Sequence, residues 1–386
     1  MILIILLVRF TGLIMSVGPF RFDYDEKYNR FLFNERPPVE LNGIDGPYIY
    51  GDTLYQINHL SELESKRFDI HQPIPIYLNN SSHPEFKIIL KPVIPNNKSI
   101  YKMPKALIAI SDIEGNFNAF SGFLIANGVI DKHYNWIFND GHIVLNGDFV
   151  DRGKHVSQVL WLIYKLEQEA KNAGGKVHFI LGNHEIMNIQ GNFTYAKNKY
   201  KKISTLLPNS KSNKNKYTSI YSKQAVLGKW LRSKPVVVKI GDYIFTHAGL
   251  SPQFSIYQLS LSKINSIAHQ YLDQDIYNTP IKDNQVNLVC GKQSPFWYRG
   301  LVQDYKYYKK IEPKDLDKLL EFYSVKSICI GHTIVDDVSI DYQGKVIRMD
   351  VKHGKKKYSS DTQGLLIMNN LTYRINALGE TISINN

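Results

Sequence analysis

The chain has 386 residues, of which 43% are hydrophobic and 21% charged, a composition typical of a folded globular protein and not of a disordered one. This length fits one large domain with additions, or two domains. The net charge of +12 favours anionic partners, although much of the excess lies in two lysine-rich segments, 195–217 and 352–358, that are typical of solvated loops. No specific nucleic-acid partner is predicted, because no reading motif accompanies these lysines. Cys290 and Cys329 lie far apart, which argues against a disulfide framework or a thiolate metal cluster.

The first twenty residues, MILIILLVRFTGLIMSVGPF, are apolar apart from Arg9. They resemble a signal peptide or a short anchor, with small residues at 16–18 for cleavage, but they lack a basic start. A guanidinium at the centre of a bilayer costs about 2.5 kcal/mol or more, so a stable membrane span is the weaker interpretation. The sequence leaves the location open between the cytoplasm and an exported or membrane-associated compartment.

The rest of the chain divides into two regions by pattern. Residues 21–103 carry many turn-forming residues and short alternating runs, which predict a small β-rich N-terminal region. In residues 104–386 short apolar strands first alternate with helix-length stretches, which predicts an α/β domain. Closely spaced strands with glycine turns at 235–250 and 326–350 predict antiparallel hairpins. The predicted fold class is therefore α/β, with a two-sheet β-sandwich flanked by helices.

Five predicted strand ends are followed at once by side chains that can bind metal ions or phosphate. In chain order these side chains are Asp112 and Glu114; Asp148, Asp151 and Arg152; Asn183 and His184; His247; and His332. One such residue alone is an ordinary cap, turn or core residue. Ligand groups gather at the carboxyl ends of strands in α/β sheets, so we expect the five groups to converge. Carboxylate, amide oxygen and imidazole together suit two divalent first-row metal ions that share a bridging carboxylate.

The succession D-x-E-G, G-D-F-V-D-R-G, G-N-H-E, T-H-A-G and G-H-T resembles the calcineurin-like metallophosphoesterase superfamily. It is most similar to the phosphoprotein phosphatase branch, including the bacterial Shewanella-like members. The resemblance covers residues 105–350, and S-P-F-W-Y-R-G at 294–300 is similar to a W-Y-R-G segment of that branch. It implies hydrolysis of phosphate monoesters by direct attack of a metal-bound hydroxide, without a phosphoenzyme.

The resemblance also implies which residues hold the two metals. Six side chains share this role: Asp148 as the bridge, Asp112 and Glu114 on the first metal, and Asn183, His247 and His332 on the second. The expected metal is Mn²⁺, with Fe, Mg²⁺ and Zn²⁺ as alternatives.

The same resemblance assigns the catalytic and substrate-binding residues. His184 is the general acid that protonates the leaving oxygen, and Asp151 orients it. Arg152 and Arg299 clamp the phosphoryl oxygens, and Asn183 is a further substrate contact. A planar guanidinium suits this task because it can donate two parallel hydrogen bonds to phosphate oxygens.

The first motif departs from the family pattern at Glu114, where the superfamily usually has histidine. A carboxylate is a harder ligand than imidazole and should favour Mn²⁺, Mg²⁺ or Fe over Zn²⁺. The alternative is that Glu114 does not coordinate and the first metal is weak or absent. After His332 the chain continues with Thr333 and Ile334 instead of a second histidine, which fits the phosphatase branch better than a nuclease or a purple-acid-like enzyme.

The predicted function is a metal-dependent phosphatase acting on phosphorylated proteins or peptides. The resemblance to the Shewanella-like members implies that phosphotyrosine is accepted as well as phosphoserine or phosphothreonine. Two alternatives stay open: hydrolysis of a dinucleoside polyphosphate or another small phosphate ester, and a non-catalytic module that binds phosphorylated partners. Substrate choice is expected to depend on the loops at 190–225 and 275–310. A membrane is a partner only through the N-terminal anchor, and the sequence predicts no oligomeric state.

Overall fold

The computed structural model describes residues 40–41, 43–78, 83–92, 98–208 and 217–384 with their side chains. Before residue 40 it describes the backbone of strands β1 (Met15–Val17), β2 (Phe20–Asp25) and β3 (Arg30–Glu35), which pair as an antiparallel sheet. The predicted signal or anchor segment, residues 1–20, lies outside the described residues except where it enters these strands. No described helix is long and apolar enough to cross a membrane.

The chain forms two compact units, Met1–Glu40 and Leu41–Asn386. The β1–β3 sheet belongs to the first unit, and all the elements described below belong to the second. The domain limits predicted from the sequence, after residues 20 and 103, stay predictions.

Two small sheets confirm the predicted β-rich N-terminal region. Their strands are β4 (Asp45–Tyr50), β5 (Thr53–Ile57) and β6 (Leu63–Arg67) in one sheet, and β7 (Ile74–Ile76) and β8 (Phe86–Ile88) in the other. Both sheets are antiparallel.

The first of two six-stranded sheets begins with three parallel strands that the sequence predicted: β10 (Ala106–Ile110), β11 (His142–Leu145) and β12 (Lys176–Phe179). Helix α1 (Phe117–Ala126) follows β10, and helix α2 (Val156–Asn172) follows β11. These helices are the crossover connections that parallel neighbours require. On the other side of β10 the sheet is completed by antiparallel strands β18 (Gln363–Met368), β19 (Leu371–Asn376) and β20 (Thr381–Ser383).

The second six-stranded sheet only partly matches the predicted hairpins. Its strands, in spatial order, are β16 (Ser339–Asp341), β17 (Val346–Arg348), β15 (Ser327–Ile330), β14 (Tyr243–Thr246), β13 (Val237–Ile240) and β9 (Ile100–Tyr101). The pairs β13–β14 and β16–β17 are antiparallel hairpins, as predicted. However, β15 is parallel to both β14 and β17, because helices separate it from β14 and the β16 strand separates it from β17.

In chain order, the remaining described helices come between β12 and β13 or between β14 and β15. They are α3 (Asn183–Ile189), α4 (Asn198–Leu206), α5 (Val226–Arg232), α6 (Gln253–Ile256), α7 (Leu261–Tyr271), α8 (Asn284–Cys290) and α9 (Pro313–Tyr323).

Alternate side chains of β10 pack into two different layers of the hydrophobic core. Leu107 and Ala109 belong to one buried cluster with residues of the second sheet such as Phe245. Ile108 and Ile110 belong to the other cluster, which includes the apolar residues of α1 and α2. Successive side chains of a strand point to opposite faces, so β10 is buried on both faces and its sequence is continuously apolar. The fold is therefore a sandwich of two mixed sheets flanked by helices, which confirms the predicted class.

A buried ionic network fixes the start of α2, just after the D-R-G turn. Asp45 accepts hydrogen bonds from Tyr48 Oη and Ser157 Oγ, both at 2.6 Å, and its other oxygen lies 2.5 Å from Lys199 Nζ. Tyr200 Oη also contacts Asp45, at 3.3 Å. Asp45 and Lys199 are 1% and 6% exposed, so each charge depends on the other for compensation.

Replacing Asp45 by alanine is expected to lower the free energy of unfolding by about 3–5 kcal/mol, because it leaves the Lys199 ammonium buried without a counter-charge. Urea denaturation of the metal-free protein measures this change. The double variant Asp45→Ala with Lys199→Met removes both charges and should recover most of the loss. A single variant that unfolds at the wild-type urea concentration would contradict the assignment.

Candidate metal centre and active site

The predicted ligands lie on turns at the ends of five strands. Asp112 follows β10, Asp148 follows β11, Asn183 begins α3 after β12, His247 follows β14 and His332 follows β15. Three of them, Asp112, Asp148 and His332, have φ of 56°, 59° and 65°, in the left-handed region that most side chains avoid. The carboxyl ends of the strands therefore meet as predicted, and the backbone turns sharply there.

Two glycines of the motifs allow the turns to approach closely. A Cβ atom on Gly182 would lie 2.2 Å from Asp148 Oδ1, and one on Gly331 would lie 2.3 Å from Asp112 Oδ2. Any larger residue at either position would displace a predicted ligand. The glycines of G-N-H-E and G-H-T are thus required by packing against the carboxylates.

Asp148, Asn183 and His247 direct acceptor atoms at one another. Asp148 Oδ2 and Asn183 Oδ1 lie 3.1 Å and 3.0 Å from His247 Nε2. His247 Nδ1 donates to the Asn146 carbonyl oxygen at 2.8 Å, so neutral His247 presents a lone pair at Nε2. Burial alone would lower the pKa of His247, but the Asp148 carboxylate outweighs it and raises that pKa to about 10. A cation is therefore needed at this point, whether a proton or a metal ion.

His332 supplies the second sign of a cation site. Its Nε2 is buried and has no hydrogen-bond partner in the described part of the chain. Ligand atoms of Asp148, His247 and His332 all lie within 4.8 Å of one another. A carboxylate, two imidazoles and the nearby Asn183 amide oxygen form a donor set that suits a divalent first-row ion, so the residues present fit the metal that the sequence predicts.

Two further carboxylates face the same cleft as Asp148. Asp112 Oδ2 accepts from the His332 backbone N–H at 3.2 Å, and Asp350 lines the cleft beside it. Burial, followed by the charge of Asp350, raises the pKa of Asp112, and burial raises the pKa of Asp350 to about 7. A divalent cation would relieve this repulsion.

The sequence interpretation missed Asp350, although the signal was present. Asp350 comes just after the apolar strand β17, in the pattern used to select the other strand ends. The strand before Asp350 is short and pairs with β16 as a hairpin, so its sequence resembles an ordinary turn region more than the end of a buried strand.

His184 is oriented by a carboxylate that is itself held in place. Its Nδ1 lies 2.7 Å from Asp151 Oδ2, and Asn188 Nδ2 donates to Asp151 Oδ1 at 2.9 Å. Since the Asp151 carboxylate only accepts, Nδ1 carries a hydrogen and Nε2 is the atom free to exchange a proton. Nε2 lies 3.7 Å from Asp148 Oδ2. Burial lowers the pKa of His184, but Asp148 and Asp151 outweigh it and raise the pKa above its usual value.

Glu185 braces the turn that carries these residues. Its carboxylate accepts hydrogen bonds from the backbone N–H groups of Gly182, Asp148 and Phe149 at 2.8–2.9 Å. The residue is fully buried. Glu185 thus supports the G-N-H-E turn and joins it to G-D-F-V.

The two predicted arginines both line the cleft, whose volume is about 340 Å³. Arg299 Nη1 donates to the His332 carbonyl oxygen at 2.6 Å and to Thr333 Oγ1 at 3.1 Å. Arg152 forms an ion pair with Glu114, and its guanidinium lies 5.4 Å from the centre of the Tyr195 ring. The cleft thus places two guanidiniums beside the acidic centre.

Glu114 is the one predicted ligand whose described side-chain contact does not involve another predicted ligand, although its backbone N–H donates to the Asp148 carbonyl oxygen at 2.9 Å. It pairs with Arg152 and is not among the residues that line the cleft. Its coordination of the first metal stays a prediction.

Replacing Glu114 by alanine is expected to lower phosphatase activity strongly and to raise the Mn²⁺ concentration needed for half-maximal activity, so that high Mn²⁺ partly restores the rate. Activity measured across a Mn²⁺ titration tests this expectation. Arg152→Ala is the matched control, since it breaks the same ion pair without removing a ligand and should show no Mn²⁺ rescue. Full activity of Glu114→Ala at low Mn²⁺ would remove Glu114 from the site.

The fold and the site together define a class of protein. The sequence pattern of the family described as Calcineurin-like phosphoesterase matches residues 105–336, which is more than half of the chain and contains the six predicted ligands and His184. The chain belongs to the calcineurin-like metallophosphoesterases.

Two curated relatives are Shewanella-like protein phosphatases. Shewanella-like protein phosphatase 1 of Plasmodium berghei (strain Anka) is 30% identical over 227 residues, which are 59% of this chain and 60% of the relative. Shewanella-like protein phosphatase 2 of Arabidopsis thaliana is 26% identical over 295 residues, 66% of this chain and 73% of the relative. The chain thus spans about 60% of the length of the Plasmodium relative.

A solved structure shows the same fold over most of the chain. The cold-active protein-tyrosine phosphatase of a psychrophilic Shewanella species superposes with a TM-score of 0.75 at 29% identity. The match covers 89% of this chain and 99% of that one.

Proposed function

We propose that this protein is a metal-dependent phosphatase that hydrolyses phosphate monoesters on protein side chains. One observation carries the proposal: the cluster of acceptor atoms at Asp148, Asn183 and His247 lies beside an oriented histidine and two guanidiniums in a single cleft. A cation site, a proton donor and a phosphate clamp are the parts that phosphomonoester hydrolysis requires.

The proposed cofactor is a pair of divalent cations, with Mn²⁺ expected. Six side chains would hold them: Asp112, Glu114, Asp148, Asn183, His247 and His332. When bound, the metals supply an activated water at neutral pH and offset the negative charge of the phosphoryl group.

His184 is the proposed proton donor to the leaving oxygen. Asp151 holds its Nδ1, which leaves Nε2 directed toward the cleft. The neighbouring carboxylates raise the pKa of His184, so that Nε2 stays protonated nearer to neutral pH. A general acid is most effective when its pKa lies near the working pH.

Arg152 and Arg299 are the proposed phosphate clamp. Each guanidinium has donors beyond those used in the contacts described above, and both line the cleft. Planar, bidentate donation suits the oxygens of a phosphoryl group better than the point charge of lysine does. The amide of Asn183 is a further proposed contact to the substrate.

Two observations favour a protein or peptide over a small phosphate ester. The cleft is continued by aromatic walls at Tyr195 and Trp297 and by the 67% exposed Ile334, which gives contact area for a side chain and its backbone. In addition, the solved relative is a protein-tyrosine phosphatase and the curated relatives are protein phosphatases. Phosphotyrosine is therefore proposed as a substrate along with phosphoserine and phosphothreonine.

The test is turnover of a phosphopeptide panel and of a diadenosine polyphosphate by protein loaded with Mn²⁺, Mg²⁺, Fe²⁺ or Co²⁺, with metal content measured on the same samples. Faster release of phosphate from peptides supports the proposal. Faster cleavage of the diadenosine polyphosphate would contradict it. Absence of turnover with every metal would indicate a module that only binds phosphorylated partners.

A further inference from the structure

We propose that a second pocket beside the cleft binds an acidic side chain that flanks the phosphorylated residue of the substrate, with Lys292 as its anchor. This inference rests on the proposed phosphatase function and adds a sequence preference to it.

The pocket has a volume of about 310 Å³ and shares three wall residues with the cleft: Tyr195, Trp297 and Arg299. A group bound in the pocket would therefore lie next to a phosphoryl group held by Arg299. Consecutive residues of an extended peptide are about 3.3–3.6 Å apart along the chain, so a residue one or two positions from the phosphorylated one can reach the pocket.

The pocket is built by the two loops that the sequence analysis connected with substrate choice. From the loop at 190–225 come Gln190, Asn192 and Tyr195, and from the loop at 275–310 come most of the other walls. The two loops are far apart in sequence, and both contribute walls to this pocket and to the adjacent cleft. The pocket is thus positioned to distinguish substrates without taking part in the chemistry.

Lys292 is a half-buried cation in this pocket. Its Nζ lies 4.4 Å from the centre of the Tyr307 ring and 5.9 Å from that of Tyr277. Among the residues with described side chains, no carboxylate lies within ion-pairing distance of Lys292 Nζ. Aromatic faces replace only part of the hydration that an ammonium loses on burial, so the site favours an incoming anion.

The other charges near the pocket also favour an anion. Arg299 is part of the wall, and Lys306 Nζ lies 4.6 Å from the Tyr307 ring centre. The one acidic wall residue, Asp275, accepts hydrogen bonds from Asn278 N at 3.2 Å and Asn278 Nδ2 at 2.8 Å, so its carboxylate is engaged within its own turn.

The size and polarity of the walls select a carboxylate side chain. Tyr277, Tyr305 and Tyr307 line the same pocket as Lys292, and tyrosine hydroxyl groups can donate to carboxylate oxygens. A lysine or arginine of the substrate would be repelled by Lys292. An apolar side chain would bury the ammonium further without a partner. The carboxylate of an aspartate or glutamate would pair with the Lys292 ammonium and accept hydrogen bonds from the tyrosine hydroxyl groups.

The experiment compares phosphopeptides that differ only by glutamate or glutamine at one position next to the phosphorylated residue, on either side. We expect the wild-type protein to prefer one glutamate peptide by about fivefold in kcat/KM. Lys292→Met should reduce this ratio to about one. Because the measure is a ratio within each variant, a general change in activity cancels. Lys309→Met is the matched control, since Lys309 is exposed and pairs with Asp304 at 3.0 Å, and it should keep the wild-type ratio.

Binding of the same fluorescent peptides, measured by anisotropy, separates this inference from the proposed function. If the protein hydrolyses no peptide but still binds the glutamate peptide more tightly in a Lys292-dependent way, the proposed function fails and the pocket assignment stands. Equal affinity and equal kcat/KM for the two peptides, or a preference that survives Lys292→Met, would overturn the assignment. A preference for an apolar residue over glutamate would do the same.

Discussion

Replacing His184 by glutamine is expected to lower kcat/KM for a phosphoserine peptide by about 10²–10⁴-fold, the range for losing a positioned general acid. The same change should lower kcat/KM for p-nitrophenyl phosphate much less, because nitrophenolate leaves without needing a proton. Steady-state kinetics on the two substrates, at saturating Mn²⁺, gives both numbers. The difference between the substrates identifies proton transfer to the leaving group as the step that His184 serves.

His155→Gln is the matched control for this experiment. His155 is a half-buried histidine after the D-R-G turn that does not line the cleft, so its replacement should leave both rates close to wild type. An equal loss on both substrates for His184→Gln would instead assign His184 to binding or to the integrity of the site.

Replacing Asp148 by asparagine is expected to abolish metal binding at the shared position and with it the activity. The carboxylate of Asp148 lies against His247 and His184 and is 2% exposed, so its charge acts with little screening by water. Even the loss of a residue that only supports a ligand weakens metal affinity about 10–100-fold, and we expect loss of Asp148, the proposed bridging ligand, to exceed this range. Elemental analysis should find at most one metal per chain in the variant.

A thermal readout makes this prediction independent of turnover. Mn²⁺ should raise the Tm of the wild-type protein, because a ligand that binds only the folded state stabilises it, and it should raise the Tm of Asp148→Asn by much less. Asp140→Asn, which changes a surface carboxylate paired with Lys105, is the control and should respond to Mn²⁺ like the wild type. Retention of two metals by Asp148→Asn would refute the bridging role.

The strand ends could be predicted because each apolar run stops at a polar side chain that a buried strand would not tolerate. That local signal located Asp112, Asp148 and Asn183 on turns, and the parallel order of β10 to β12 then required these turns to meet at one edge of the first sheet. The sequence could not predict the ion pair of Glu114 with Arg152, since it depends on how two turns face each other.

Contacts between segments that are distant along the chain also could not be predicted from the sequence. Asp45 and Lys199 are 154 positions apart, and neither residue carries a local pattern that differs from an ordinary surface charge. The same holds for the pocket around Lys292, whose walls come from two loops without a repeating pattern. Burial converts such residues from solvated charges into specific partners, and burial depends on the complete fold.

The left-handed backbone at Asp112, Asp148 and His332 restricts these positions before any metal is considered. Apart from glycine, the residues that enter this conformation most readily are asparagine, aspartate and histidine. These are also the oxygen and nitrogen donors that a divalent cation prefers. The residues that tolerate this backbone conformation are thus largely the same residues that can bind a divalent cation. Glu114, at φ 50°, also has a carboxylate that can bind a cation, but glutamate is not one of the residues that favour this conformation.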